Sequence, residues 1–196
     1  MSGFDVPVGI SSRHVHLTQE NVEKLFGTGH KLKPIKALSQ PGQFASEETV
    51  TLVGTKGSIE GVRVLGPIRN YSQVELAATD TYKLGVKAPV RDSGEIEGTP
   101  GIDLIGSAGR IHLEDGVIIA ARHIHMTPEE AKEHGLKDGD HVGVEVPGDR
   151  GGILDEVLIR VDPNYELDMH VDTDEGNAFN LHTGDTVDVL PEERDC

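Results

Sequence analysis

Apolar and polar positions alternate with a period of two through most of the chain, the pattern of strands buried on one face. Val50 to Leu65 reads as two such stretches around a glycine-containing turn, and Val142 to Val161 repeats that hairpin shape. In Leu167 to Asp172 the alternation puts Leu167, Met169 and Val171 on one face and Asp168, His170 and Asp172 on the other. Leu136 to Val144 and Leu181 to Val189 share the pattern Leu-x-x-Gly-Asp-x-Val-x-Val, a turn that delivers an alternating strand and carries no chemistry of its own. Two short helices interrupt the strands. Thr18 precedes Gln19-Glu20-Asn21 and Thr127 precedes Pro128-Glu129-Glu130, each a hydroxyl N-cap with acidic side chains in the first turn.

The pattern occurs twice. Ser11-Ser12-Arg13-His14-Val15-His16-Leu17-Thr18 returns 109 positions later as Ala120-Ala121-Arg122-His123-Ile124-His125-Met126-Thr127, so the chain is internally duplicated. The predicted fold is mainly β, two small β-barrel domains capped by short α-helices.

Composition narrows the class. A chain of 196 residues buries roughly 70% of its unfolded surface and needs no staples. With 18 Lys plus Arg against 34 Asp plus Glu, the net charge of −16 argues against DNA, RNA or an anionic membrane surface as partner. The single cysteine, Cys196, allows neither an intramolecular disulfide nor a thiolate metal cluster. The opening MSGFDVPVGI has no basic, apolar leader pattern, and the longest strongly apolar run, Val117 to Ala121, is far too short to span a bilayer. A soluble, cytosolic protein is expected, with 191–196 as a frayed tail. No Walker loop, Gly-x-Ser-x-Gly elbow or Rossmann fingerprint is present, so covalent acyl-enzyme chemistry is not indicated.

What remains is histidine. On a strand, residues i and i+2 share a face, so His14 with His16 and His123 with His125 each aim two imidazoles at one point. That suits two ligands of a zinc ion, although a duplicated structural strand would read the same way. Further ligands must be His, Asp or Glu. His170 points away from the apolar face, toward either solvent or a site. Glu75 sits between apolar neighbours and needs a cation or a donor, in a metal site or in a salt bridge. Arg69, after a strand and a Gly-Pro turn, is placed either to grip a phosphate or to lie in solvent. His30, His112, His134, His141 and His182 read as surface residues.

Six ordered blocks carry a resemblance: Val6–Leu17, Leu38–Ala45, Val62–Arg69, Pro89–Gly94, Gly116–Pro128 and Met169–Glu175 are similar to the PduL-type phosphate propanoyltransferases, over about residues 5–190. The resemblance implies a phosphotransacylase that interconverts short-chain acyl-CoA (propanoyl-CoA or acetyl-CoA) plus phosphate with acyl phosphate plus CoA, by direct attack without an acyl-enzyme. It implies one barrel from residues 13–120 and a second from residues 3–12 with 121–190, the N-terminal strand crossing over, and a dinuclear zinc site between them. One Zn2+ would take His123, His125 and His170, with the coenzyme A sulfur as fourth ligand, and the other His14, His16 and Glu75. Arg69 matches the phosphate-contacting arginine; Ser11, Ser93, Arg160 and Asn177 match positions around the substrates. A homodimer is implied, with an acyl-phosphate kinase and an aldehyde dehydrogenase as pathway partners in propanediol degradation. Members packed into bacterial microcompartments carry an N-terminal amphipathic extension, whereas here the first strand begins near Val6, so a free cytoplasmic enzyme is expected rather than one in a microcompartment lumen. A metal-dependent acyl-CoA hydrolase and a non-catalytic zinc-binding barrel are the rival readings.

Overall fold

In a computed structural model, residues 3–190 are described; the tail 191–196, expected to fray, and Cys196 lie outside the described residues. The alternating pattern resolves into short strands joined by turns. In chain order the elements are β1 (Phe4–Ser11), β2 (His14–His16), α1 (Gln19–Phe26), β3 (Pro34–Ala37), β4 (Phe44–Val53), β5 (Ser58–Gly66), β6 (Gln73–Glu75), α2 (Ala78–Leu84), β7 (Val90–Arg91), β8 (Ile102–Ile105), β9 (Arg110–Leu113), β10 (Val117–Ala120), β11 (His123–Met126), α3 (Pro128–His134), β12 (His141–Val146), β13 (Gly152–Val161), β14 (Asp168–Asp172), α4 (Thr173–Phe179) and β15 (Thr186–Val189).

These elements form two units. The first comprises residues 3–11, 39–41 and 121–190, the second residues 12–38 and 42–120. In the first, six strands close a barrel in the order β1-β14-β11-β13-β12-β15. Its interior is Val6, Val8, Ile124, Met126, Val144, Ile159, Met169 and Val171, the inward halves of the alternating strands. β1 reaches its place by pairing parallel to β14 through Val8 to Ser11 and antiparallel to β15 through Phe4 to Pro7.

The second unit is a nine-stranded sheet with the path β7-β10-β6-β2-β5-β4-β8-β9 and β3 paired on β4. It curls as a half-barrel and does not close. Closure needs the end strands to pair, and here one end is the two-residue β7. Period-two patterning reports which face is buried and says nothing about edge pairing. Its core is Val15, Leu17, Leu25, Leu52, Val64, Val74, Leu84 and Leu104.

The helix starts follow the sequence. Thr18 caps α1 by accepting from the Asn21 N–H, and Thr127 caps α3 by accepting from Glu130, whose carboxylate accepts in return from the Thr127 N–H. Among the described residues no helix is long and apolar enough to cross a membrane. The duplication extends to strand pairing: β2 runs parallel to β5 and antiparallel to β6, as β11 runs parallel to β13 and antiparallel to β14.

Candidate metal centres

In the first unit β11 holds His123 and His125, and β14 brings His170 opposite His123 and Asp168 opposite His125. The three imidazoles offer nitrogens that all lie within 4.8 Å of one another. His123 Nδ1 lies 2.8 Å from the Ala121 carbonyl oxygen, which only accepts, so the proton sits on Nδ1 and the Nε2 lone pair faces the group. That Nε2 is 3.1 Å from His125 Nε2. A tetrahedral zinc with Zn–N bonds near 2.05 Å would hold two nitrogens about 3.3 Å apart. Burial, then the neighbouring His123, His170 and Arg160, push the His125 imidazole down to about 2, so it is held in the neutral form a ligand must have. Its Nδ1 is buried with no hydrogen-bond partner.

The second unit builds the same frame on β2 and β6, with His14 opposite Glu75 and His16 opposite Gln73. His14 Nδ1 donates to the Ser12 carbonyl at 2.8 Å, which turns Nε2 toward Glu75. That atom is 3.4 Å from Glu75 Oε2, and His16 Nε2 is 3.8 Å from Glu75 Oε1. Burial opposes ionisation of Glu75, but His14, His16 and a hydrogen bond from Ser93 outweigh it and hold the carboxyl well below the usual carboxylate range. Burial also opposes protonation of His14, and the Glu75 charge overcomes it, raising that imidazole. His16, lowered by burial and by the His14 and Arg69 charges, stays neutral.

Both donor sets suit a borderline-soft divalent ion such as zinc, because each gathers three nitrogen or carboxylate donors on the strand face opposite its apolar core. They differ in charge. Three imidazoles contribute none, while two imidazoles and Glu75 contribute −1.

The remaining expected residues fall as follows. Arg69, half-buried after β5, donates from Nη1 to the Tyr71 hydroxyl at 3.2 Å and to Ser93 Oγ at 3.3 Å. Ser93 therefore joins Arg69 to Glu75, to which its hydroxyl donates at 2.9 Å. Arg160 lies opposite His125 in the β13 register. Ser11, at the end of β1 opposite Asp172, and Asn177, exposed on α4, stand outside the histidine groups. Two of the five histidines expected at the surface are half-buried: His30 bonds the buried Glu48 at 2.7 Å, and His134 stacks on Phe4 at 3.7 Å. Sequence reasoning did not single out Gln73, Asp168 or Tyr71. The first two stand two residues before a ligand on the same strand face, which is the signal that marks them.

A family profile described as phosphate propanoyltransferase matches residues 7–182. Curated relatives carrying that name occur in Thermotoga maritima, 58% identical over 93% of this chain and 88% of the relative, and in Lachnoclostridium phytofermentans, 53% identical over 96% and 89%. A third, from Rhodopseudomonas palustris, is 49% identical over 95% of this chain and 82% of the relative.

Proposed function

The chain belongs to the phosphate propanoyltransferase family and is an acyltransferase, and from that premise we propose that it interconverts a short-chain acyl-CoA, propanoyl-CoA or acetyl-CoA, and phosphate with the acyl phosphate and free coenzyme A. The observation that carries the proposal is the near full-length similarity to proteins of that name in a chain that retains two buried three-ligand groups.

Zinc would be held by His123, His125 and His170, and by His14, His16 and Glu75, and would supply a soft seat for sulfur and Lewis acidity toward oxygen. The charge difference supports a division of roles. The all-imidazole group adds no negative charge to oppose an anionic sulfur, so a zinc held there would be the better seat for the coenzyme A thiolate. Arg69, its guanidinium fixed by Tyr71 and Ser93, presents a planar fork that matches phosphate. Ser11, Ser93, Arg160 and Asn177 complete the surroundings of the substrates. A phosphate oxygen forms a bond to the acyl carbon as the carbon–sulfur bond breaks, and the sulfur leaves with the electron pair as thiolate. No side chain is acylated, so Cys196→Ser leaves turnover unchanged.

The test is thiol release from acetyl-CoA and propanoyl-CoA, with and without phosphate, before and after chelation. Release that requires both phosphate and metal supports the transacylase. Release without phosphate makes the protein a hydrolase, and no release leaves only a metal-binding fold.

A further inference from the structure

Each third ligand shares its strand with a buried polar residue two positions earlier: Gln73 before Glu75 on β6, and Asp168 before His170 on β14. Residues i and i+2 of a strand share a face. The two positions are equivalent in the duplicated units, for Gln73 stands opposite His16 as Asp168 stands opposite His125. Their chemistry is reversed, and so is that of the ligands they touch. A carboxylate only accepts, and Gln73 presents it with an amide NH2; an imidazole N–H donates, and Asp168 presents it with a carboxylate.

The orientation of the Gln73 amide is dictated locally. The Gly94 N–H donates to Gln73 Oε1 at 2.8 Å, so the NH2 end must face the other way. There it donates to Glu75 Oε1 at 2.6 Å and to Ser93 Oγ at 2.9 Å, and Ser93 in turn donates to the same Glu75 oxygen. Glu75 Oε1 is thereby engaged twice, which leaves Oε2, on the His14 side, as the oxygen with capacity to spare. In the first unit Asp168 Oδ2 lies 2.9 Å from His170 Nε2. The neighbouring strand makes room for this pair. Gly9 is the register partner of His170, and a Cβ there would lie 2.9 Å from His170 Cδ2 and 3.1 Å from Asp168 Oδ2.

We propose that Gln73 and Asp168 are positioning residues that each fix one metal ligand, so that the two ions are tuned independently. Gln73 serves the His14–His16–Glu75 group and Asp168 the His123–His125–His170 group. The inference rests on the metal-binding reading above. Partners that orient a ligand typically change metal affinity 10- to 100-fold.

The experiment is a Zn2+ titration of metal-stripped full-length protein against a competing chelator, with urea midpoints of the metal-free forms measured alongside. Wild type is expected to bind two ions. Gln73→Met, close in shape but without a donor, should weaken one site roughly 10- to 100-fold and spare the other. Asp168→Leu should weaken the opposite site, and Asp168→Asn, which keeps an accepting oxygen, should restore most of the affinity. Assignment comes from repeating the two losses in His125→Ala and His14→Ala backgrounds, where one site alone remains. Should Asp168→Leu fail to fold, Gly9→Ala tests the same pair by crowding it and should weaken the same site. Wild-type affinity at both sites in both variants overturns the positioning role alone, as does an equal loss at both sites that tracks a lowered metal-free midpoint. A wild type that binds no ion overturns the metal reading and this inference with it.

Discussion

At the scale of single residues, the two ligand groups differ in charge, and on the proposed reading substitutions should separate along that difference. His14→Ala and His125→Ala each remove one of three ligands from different groups. Elemental analysis should then find one equivalent of zinc retained in each variant, and full occupancy in both would sink the ligand assignment. Arg69 belongs to neither group, so Arg69→Ala should leave zinc content intact. A hydrogen bond to a charged group is worth roughly 1.5–3 kcal/mol, so its loss should raise the phosphate KM about 10- to 100-fold with acyl-CoA KM little changed. Unaltered phosphate kinetics would remove Arg69 from the site. Ser93 is shared between the two functions, because it accepts from Arg69 and donates to Glu75; Ser93→Ala should therefore disturb both phosphate KM and zinc affinity.

At the scale of elements, each His pair is followed by a capped helix and preceded by an arginine that reaches a second helix. Arg13 pairs with Asp80 on α2 at 2.8 Å, and Arg122 with Glu175 on α4 at 2.8 Å. Both acids lie in the first turn of the helix that follows a third-ligand strand, so the pairs tie that strand to the His strand. The caps are separable from this device. Thr127→Ala should cost about 1 kcal/mol in urea unfolding with zinc content unchanged; loss of zinc would show that α3 supports the ligands directly. The sequence disclosed these elements unevenly. The His-x-His strands stand out because two i, i+2 pairs recur 109 positions apart. Glu75 and His170 occupy equivalent register positions yet are 95 apart and differ in type, since intervening segments differ in length, so no single offset aligns them. Helix α4 carried a readable signal, Asp172 with Glu175 three residues on. Helix α2 did not, because its N-cap Ala77 has no accepting side chain and Asp80 accepts from the Ala77 N–H instead. The open edge of the second sheet was likewise hidden, as two-residue β7 leaves no pattern to read.

At the scale of the whole molecule, buried histidines should make the metal-free protein acid-labile, and the sign follows from proton counting. His125 is lowered to about 2 and His16 well below its usual value, so below about pH 6.5 the unfolded chain takes up protons there that the folded chain refuses. Stability from these two is complete above that pH and is lost as pH falls. His14, raised by Glu75, works the other way: its contribution is present below about pH 6.5 and is lost as pH rises through its folded value. Below about pH 6.5 His14 is protonated in both states, so the two lowered groups govern the balance and unfolding takes up close to two protons. Unfolding free energy should therefore fall with acidification below about pH 6.5, with a slope that approaches roughly 3 kcal/mol per pH unit. Glu75, held low, adds to the loss only once the pH drops through the carboxylate range. The net charge of −16 relaxes too little to compensate, since most carboxylates stay ionised down to about pH 5. Urea unfolding of chelated protein between pH 7.5 and 5, roughly the window these imidazoles define, measures the slope; a rise in stability on acidification would mean that His16 and His125 are not buried neutral. The zinc-loaded protein should show a steeper fall, because protons then compete with metal for the same nitrogens.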